Sequence, residues 1–146
     1  MITLAPGAFT AIEAGNNNTT GVGLVEVYDL NTAVLSELTS LSTRGLVQMG
    51  DKVMIGGFIN GGGNGGTEVL VRALGPTLRS FGITDPLADP TIRLANANGQ
   101  IMASNDNWKT TQQSAIQTTQ FGPAKRSRAG HSDYSAQRRP HCNCIR

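Results

Sequence analysis

Thr91-Ile92-Arg93-Leu94-Ala95, then Asn96-Ala97-Asn98-Gly99, then Gln100-Ile101-Met102-Ala103-Ser104 is the stretch on which the fold reading turns. Two short apolar runs flank a break ending in Asn-Gly, the pair that reaches φ > 0 at least cost in a tight reversal. The stretch predicts a β-hairpin over 91–104. Outward from it, 52–59 and 68–74 are apolar runs of strand length and predict two more strands, joined by a flexible hairpin loop over 60–66. Upstream, 9–14 and 22–30 read as strands around Gly15-Asn16-Asn17-Asn18-Thr19-Thr20-Gly21, and together they predict a hairpin with a long tip. Within 22–30, Val22, Leu24 and Tyr28 face one way and Val25 and Val27 the other, so both faces are apolar enough for the inside of a sandwich. The segment 34–41 fits a helical turn or a strand equally well. Pro76, Pro86 and Pro90 make 75–90 irregular, and 111–119 predicts a short helix.

The whole chain carries the same signature. Its 146 residues leave room for one domain with a real core. Gly is abundant at 18 residues and charge is sparse at 15%, which suits short strands joined by turns rather than a helical bundle. The fold class expected is all-β: a β-sandwich or jelly-roll-like module, permuted or incomplete, with a disordered C-terminal tail. No run reaches the roughly 18 apolar residues of a membrane-spanning helix. Met1-Ile2-Thr3-Leu4-Ala5-Pro6-Gly7 has no basic n-region and only a stub of apolar sequence, so an export signal is expected on a longer parent chain.

Charge divides the chain. Residues 1–124 hold Arg44, Lys52, Arg72, Arg79, Arg93 and Lys109 against a larger number of acids, whereas 125–146 are strongly basic with Asp133 as the lone acid. Both His (His131, His141) and both Cys (Cys142, Cys144) lie in that tail. Three readings compete there. A basic arm would gain affinity for nucleic acid by counterion release, with His141, Cys142 and Cys144 as metal ligands, but Cys-x-Cys with one adjacent His is not a zinc spacing. A solvated disordered tail is the second reading. The third is a shifted reading frame. Permitted codons for 124–146 allow removal of one nucleotide to yield ANDREPAILTIAPSGAPTAIVSG, which repeats the order of ITLAPGAFTAIEAG near the start of the chain. The frameshift is the favoured reading, and it implies an internal repeat of about 135–140 residues cut out of register. The organisation expected is then a module over 1–124, with 1–31 the closing hairpin of one repeat and 32–124 the start of the next, followed by 125–146 as a basic disordered tail out of frame.

Leu87-Ala88-Asp89-Pro90-Thr91-Ile92-Arg93-Leu94, Asn98-Gly99 and Ala103-Ser104-Asn105-Asp106-Asn107-Trp108, together with Leu4-Ala5-Pro6-Gly7-Ala8-Phe9-Thr10, carry a resemblance. The pattern resembles the bacterial pre-peptidase C-terminal type of β-sandwich, and residues 1–124 as a whole are similar to long repetitive secreted bacterial proteins. The resemblance implies an extracellular or cell-surface location and neighbouring repeats of a parent chain as partners. It also raises calcium, because that family includes calcium-stabilised members. The order is permuted, since the closing hairpin precedes the strands it should complete. Residues 9–30 are therefore expected to fold back, to be donated to a neighbour, or to stay exposed.

Few residues offer chemistry. Asn105, Asp106 and Asn107 bring hard oxygens together and form the calcium candidate, but Ca²⁺ takes six or more oxygens and one carboxylate supplies few. The competing reading is an Asx-turn with Trp108 packed beneath it. Gly61-Gly62-Gly63-Asn64-Gly65-Gly66 matches G-x-G-x-x-G but is followed by a β-run instead of the helix a pyrophosphate needs. With no His or Cys in the body, Ser–His and Cys–His nucleophile systems have no base there. The carboxylate pairs Asp85/Asp89 and Asp29/Glu26 read as structural, and the first pair precedes prolines. Asn17 and Asn18 open N-x-Thr sequons, which matter only in a glycosylating host. Trp108, Tyr28, Phe9, Phe58 and Phe81 can line a sugar platform, although so few aromatics are better spent on a core. The function expected is a non-catalytic structural or adhesive repeat, with no catalytic residue, no organic cofactor, no nucleic acid and no membrane span. The alternative is an accessory module of a secreted hydrolase that binds carbohydrate or protein.

Overall fold

A computed structural model describes residues 1–31, 40–61, 65–119, 121 and 142–145. The protein is mostly β, built as two antiparallel sheets with a few short helices. The strands are β1 (Ile2–Leu4), β2 (Gly7–Gly15), β3 (Gly21–Asp29), β4 (Ser40–Val47), β5 (Met54–Asn60), β6 (Thr67–Leu74), β7 (Pro90–Asn96), β8 (Ile101–Asn105) and β9 (Cys142–Ile145). Short helices follow the strands at Pro76–Phe81, a 3-10 turn, and at α1 (Trp108–Thr111) and α2 (Gln113–Thr118). One sheet runs β1-β6-β3-β4, with β9 also on β6; the other runs β5-β2-β7-β8.

Period-two alternation explains the layering. Phe9 and Ala11 of β2, Val25 and Val27 of β3, Phe58 of β5, Val69 and Val71 of β6, and Ile92 and Leu94 of β7 meet between the sheets as the main core. At roughly 1.5–3 kcal/mol for each large apolar side chain buried, this interior carries most of the stabilisation. The alternate residues of β3 and β6 point the other way. Leu70 and Leu74, with Val22, Leu24 and Tyr28, form a second cluster on the outer face of the first sheet. Leu78 of the 3-10 turn, Trp108 of α1 and Ile116 of α2 cover it. The two-faced reading of 22–30 therefore holds residue by residue.

The 91–104 hairpin forms as β7 and β8, with Gly99 at φ 76 in its turn and a register shift at Leu94/Ala95. Two other expected hairpins do not form. β2 lies in the second sheet, between β5 and β7, whereas β3 lies in the first, between β6 and β4. The 16–20 loop is thus an arch that carries the chain across the sandwich, and 1–31 is not a closing hairpin. The connection from β5 to β6 crosses the sandwich in the same way. Both segments are apolar on their inner face, so opposed sheets satisfy them as well as a hairpin would. Residues 9–30 fold back onto the rest of the chain and occupy a central place in each sheet.

Three further differences concern boundaries. β4 extends from 40 to 47, beyond the undecided 34–41, of which 34–39 lie outside the described residues. The expected 111–119 helix is two short helices beginning at Trp108. In the tail, 142–145 do not stand apart as expected: they pair with Leu74 through Val71 on the β6 edge that β1 uses at Thr67 through Val69. The rest of 125–146, including the two His, lies outside the described residues.

Candidate functional site

The polar cluster at 105–107 sits where β8 gives way to α1. Asn105 closes β8 in register with Ile92. Asn107 is the N-cap of α1: its Oδ1 accepts from the Lys109 N–H at 3.2 Å, and its carbonyl accepts from the Thr110 N–H at 3.1 Å and from Thr110 Oγ1 at 2.8 Å. A side-chain oxygen in that position satisfies a backbone donor that the first helical turn leaves unpaired. Trp108 is 5% exposed and fixes the corner by packing on Leu70, Leu74, Leu78 and Ile116. Of the calcium candidate, Asn107 thus has its oxygen committed to the helix, and Asp106 is the stretch's one carboxylate. Among the described residues, no three His, Cys, Asp or Glu side chains cluster as a metal site.

Asp89, Asp29 and Glu26 are committed through their carboxylates, and Asp85 is tied down through its backbone carbonyl. The carbonyl of Asp85 accepts from the Val22 N–H at 2.7 Å, and that of Asp89 accepts from the Asn16 N–H at 2.8 Å. Asp89 Oδ2 further accepts from Asn16 Nδ2 at 3.0 Å. Both acids thereby tie the 85–90 segment to the β2–β3 arch. Asp29 Oδ1 accepts from the Asn31 N–H at 2.8 Å, an Asx-turn. Glu26 pairs with Arg72 across neighbouring strands at 3.2 Å. The Arg72 guanidinium also lies 5.8 Å from the Tyr28 ring centroid and donates to the carbonyl of Phe121. Arg72 therefore clamps Phe121, beyond the end of α2, to the outer face of the first sheet.

The five rings that a sugar platform would need are scattered. Phe9 and Phe58 stack in the main core with centroids 5.6 Å apart, and Trp108 is buried in the second cluster. Tyr28 stacks on Phe121 at 4.3 Å. Phe81 stands out at 76% exposure, at the end of the 3-10 turn. The glycine loop leads into β6, a strand, so its 65–66 end offers no helix dipole to a phosphate.

Sequence reasoning missed Glu13. It follows Phe9 and Ala11 on the inward face of β2 and is fully buried, between Met54 and Ile92 in register. Its carboxyl reaches across the sandwich to β3, where a Cβ at Gly23 would lie 2.6 Å from Glu13 Oε2. The period-two count from Phe9 is the signal that could have found it. Glu13 has no acidic neighbour in the sequence to mark it as one of a carboxylate pair.

The outer face of the second sheet is mixed, with apolar side chains at its two edge strands and the exposed Arg93 of β7 between them. Ile55 and Ile59 of β5 and Ile101 and Met102 of β8 are exposed. Fold and clusters together define a two-sheet, all-β sandwich whose polar groups at loops and corners serve caps, turns and clamps. No family model, curated relative or solved structure matches the chain.

Proposed function

We propose that the protein is a non-catalytic structural or adhesive β-sandwich repeat of a secreted or cell-surface protein, held among neighbouring repeats of a parent chain. The observation that carries this reading is the position of β2 and β3. The order that recurs in the shifted frame of 124–146 is that of Ile2–Gly15, which supplies β1 and the inner strand β2, and β3 follows it directly as an inner strand of the other sheet. In a tandem array, each copy of that segment can complete a sandwich, which is what a permuted repeat requires. The commitment of the Asn107, Asp89, Asp29 and Glu26 side chains to local structure supports a scaffold role.

The test is the nucleotide sequence around codon 124 and downstream. The expected result is an open frame, one nucleotide out of register, that continues through ILTIAPSGAPTAIVSG into a further copy of residues 16–124. Stop codons in that frame within the next copy's length overturn the repeat.

A further inference from the structure

We propose that the free edge of β5 is a two-fold interface, at which a second copy of this chain pairs its own β5 antiparallel to the first and joins the second sheets of the two copies into one. The inference holds whether or not the chain is a repeat. β5 ends its sheet: all seven residues, Met54–Asn60, pair with β2 on one side, and no described strand pairs with the other. An edge of this kind presents a row of backbone N–H and C=O groups, and proteins ordinarily guard it with charge, proline, a bulge or short length. The other edges are guarded: β4 carries Arg44, β1 and β9 are three and four residues long, and β8 is five residues long with a shifted register against β7. β5 has no charge, no proline and no bulge. Its outward side chains Ile55 and Ile59 are 60% and 74% exposed, beside Ile12 and Ala8 of β2.

The occupant follows from the sequence of the edge. Ile55-Gly56-Gly57-Phe58-Ile59 is self-complementary about Gly57. A two-fold axis there sets Gly57 against Gly57 of the second copy and Ile55 against its Ile59, twice, on the outer face. On the inner face Gly56 meets Phe58 of the second copy, small against large. A one-residue slip sends the isoleucines to the opposite face. A two-residue slip sets Phe58 against Phe58, or isoleucine against glycine. One register therefore satisfies both faces, and identical chains supply it without any further partner.

The test uses the full chain in reducing buffer, followed by sedimentation from about 1 to 200 µM, the range in which weak dimers of small interface area dissociate. A reversible dimer is expected. I55K/I59K places lysine against lysine at both outer pairs and weakens the dimer by at least about 100-fold, whereas I55K/I59E places lysine against glutamate and stays within about ten-fold of the parent. Both variants remove the same apolar surface, so their difference reports the register. In a C142S/C144S background, G57C is expected to give a disulfide-linked dimer on mild oxidation, because antiparallel partners lie within disulfide reach. A chain that sediments as a monomer throughout, two double variants that behave alike, or a G57C protein that does not cross-link would each overturn the proposal.

Discussion

The outer faces of the two sheets start from similar material and end differently. The first sheet turns Val22, Leu24, Leu70 and Leu74 outward; the second turns Ile12, Ile55, Ile59 and Met102 outward. Strand composition alone does not separate them. What differs is the route of the chain after each strand. The 3-10 turn that follows β6, and α1 and α2 that follow β8, both lie on the first sheet, where Leu78, Trp108 and Ile116 close the second cluster. Nothing among the described residues does the same for the second sheet. Which face is buried is thus decided by the connections, and the covered face is fastened by Arg72 while the bare one is left to Ile55 and Ile59.

The comparison breaks most visibly at Trp108. Trp108→Ala removes the largest piece of the cover and is expected to cost about 3–5 kcal/mol, lowering the thermal midpoint by more than about 10 °C. A smaller change would mean that the cover is ornamental. Arg72→Ala, which leaves Glu26 half-buried and opposite no cation, is expected to cost about 2–4 kcal/mol in chemical denaturation. The double variant Glu26→Leu/Arg72→Met should recover most of that loss, because charge and partner leave together. Asn107→Ala deletes the cap of α1 and should cost about 1 kcal/mol, with Asn107→Asp close to the parent. On the bare face, Met102→Thr should fall within about 0.5 kcal/mol of the parent. If Met102→Thr instead matches the cost of Trp108→Ala, the two faces are not different in kind.

Local signals were legible and crossings were not. Asn98-Gly99 announced the β7–β8 hairpin because a reversal is written within four residues. The alternation of Val22, Leu24 and Tyr28 with Val25 and Val27 announced both clusters, because side-chain direction has a strict period of two. Neither signal says which strand lies alongside. The arch after β2 and the crossing after β5 read as hairpins, since an Asn- or Gly-rich loop serves both geometries. Most of β4 was missed because its run, Ser-Leu-Ser-Thr-Arg-Gly-Leu-Val, sets Thr43 and Gly45 between Leu41 and Val47 on the inward half and mixes Leu46 with Ser40, Ser42 and Arg44 on the outward half. At the site, Asn107 was read correctly as a turn residue over a packed Trp108, and its role as the cap of α1 refines that reading. Glu13 stayed hidden because a charged residue counts against a core position until the opposite sheet shows the space that Gly23 leaves.

The crossings also set a schedule. β2 completes its sheet with a strand whose Thr91 Oγ1 donates to the carbonyl of Ala14 across 77 residues of chain. During synthesis at about 5–20 residues per second, β2 waits roughly 4–15 s for that partner. Through that interval its apolar face is available to any other nascent copy nearby, and β5 joins it once residue 60 has been made. The order of emergence therefore makes local concentration on the ribosome one variable in how cleanly each sandwich closes on itself.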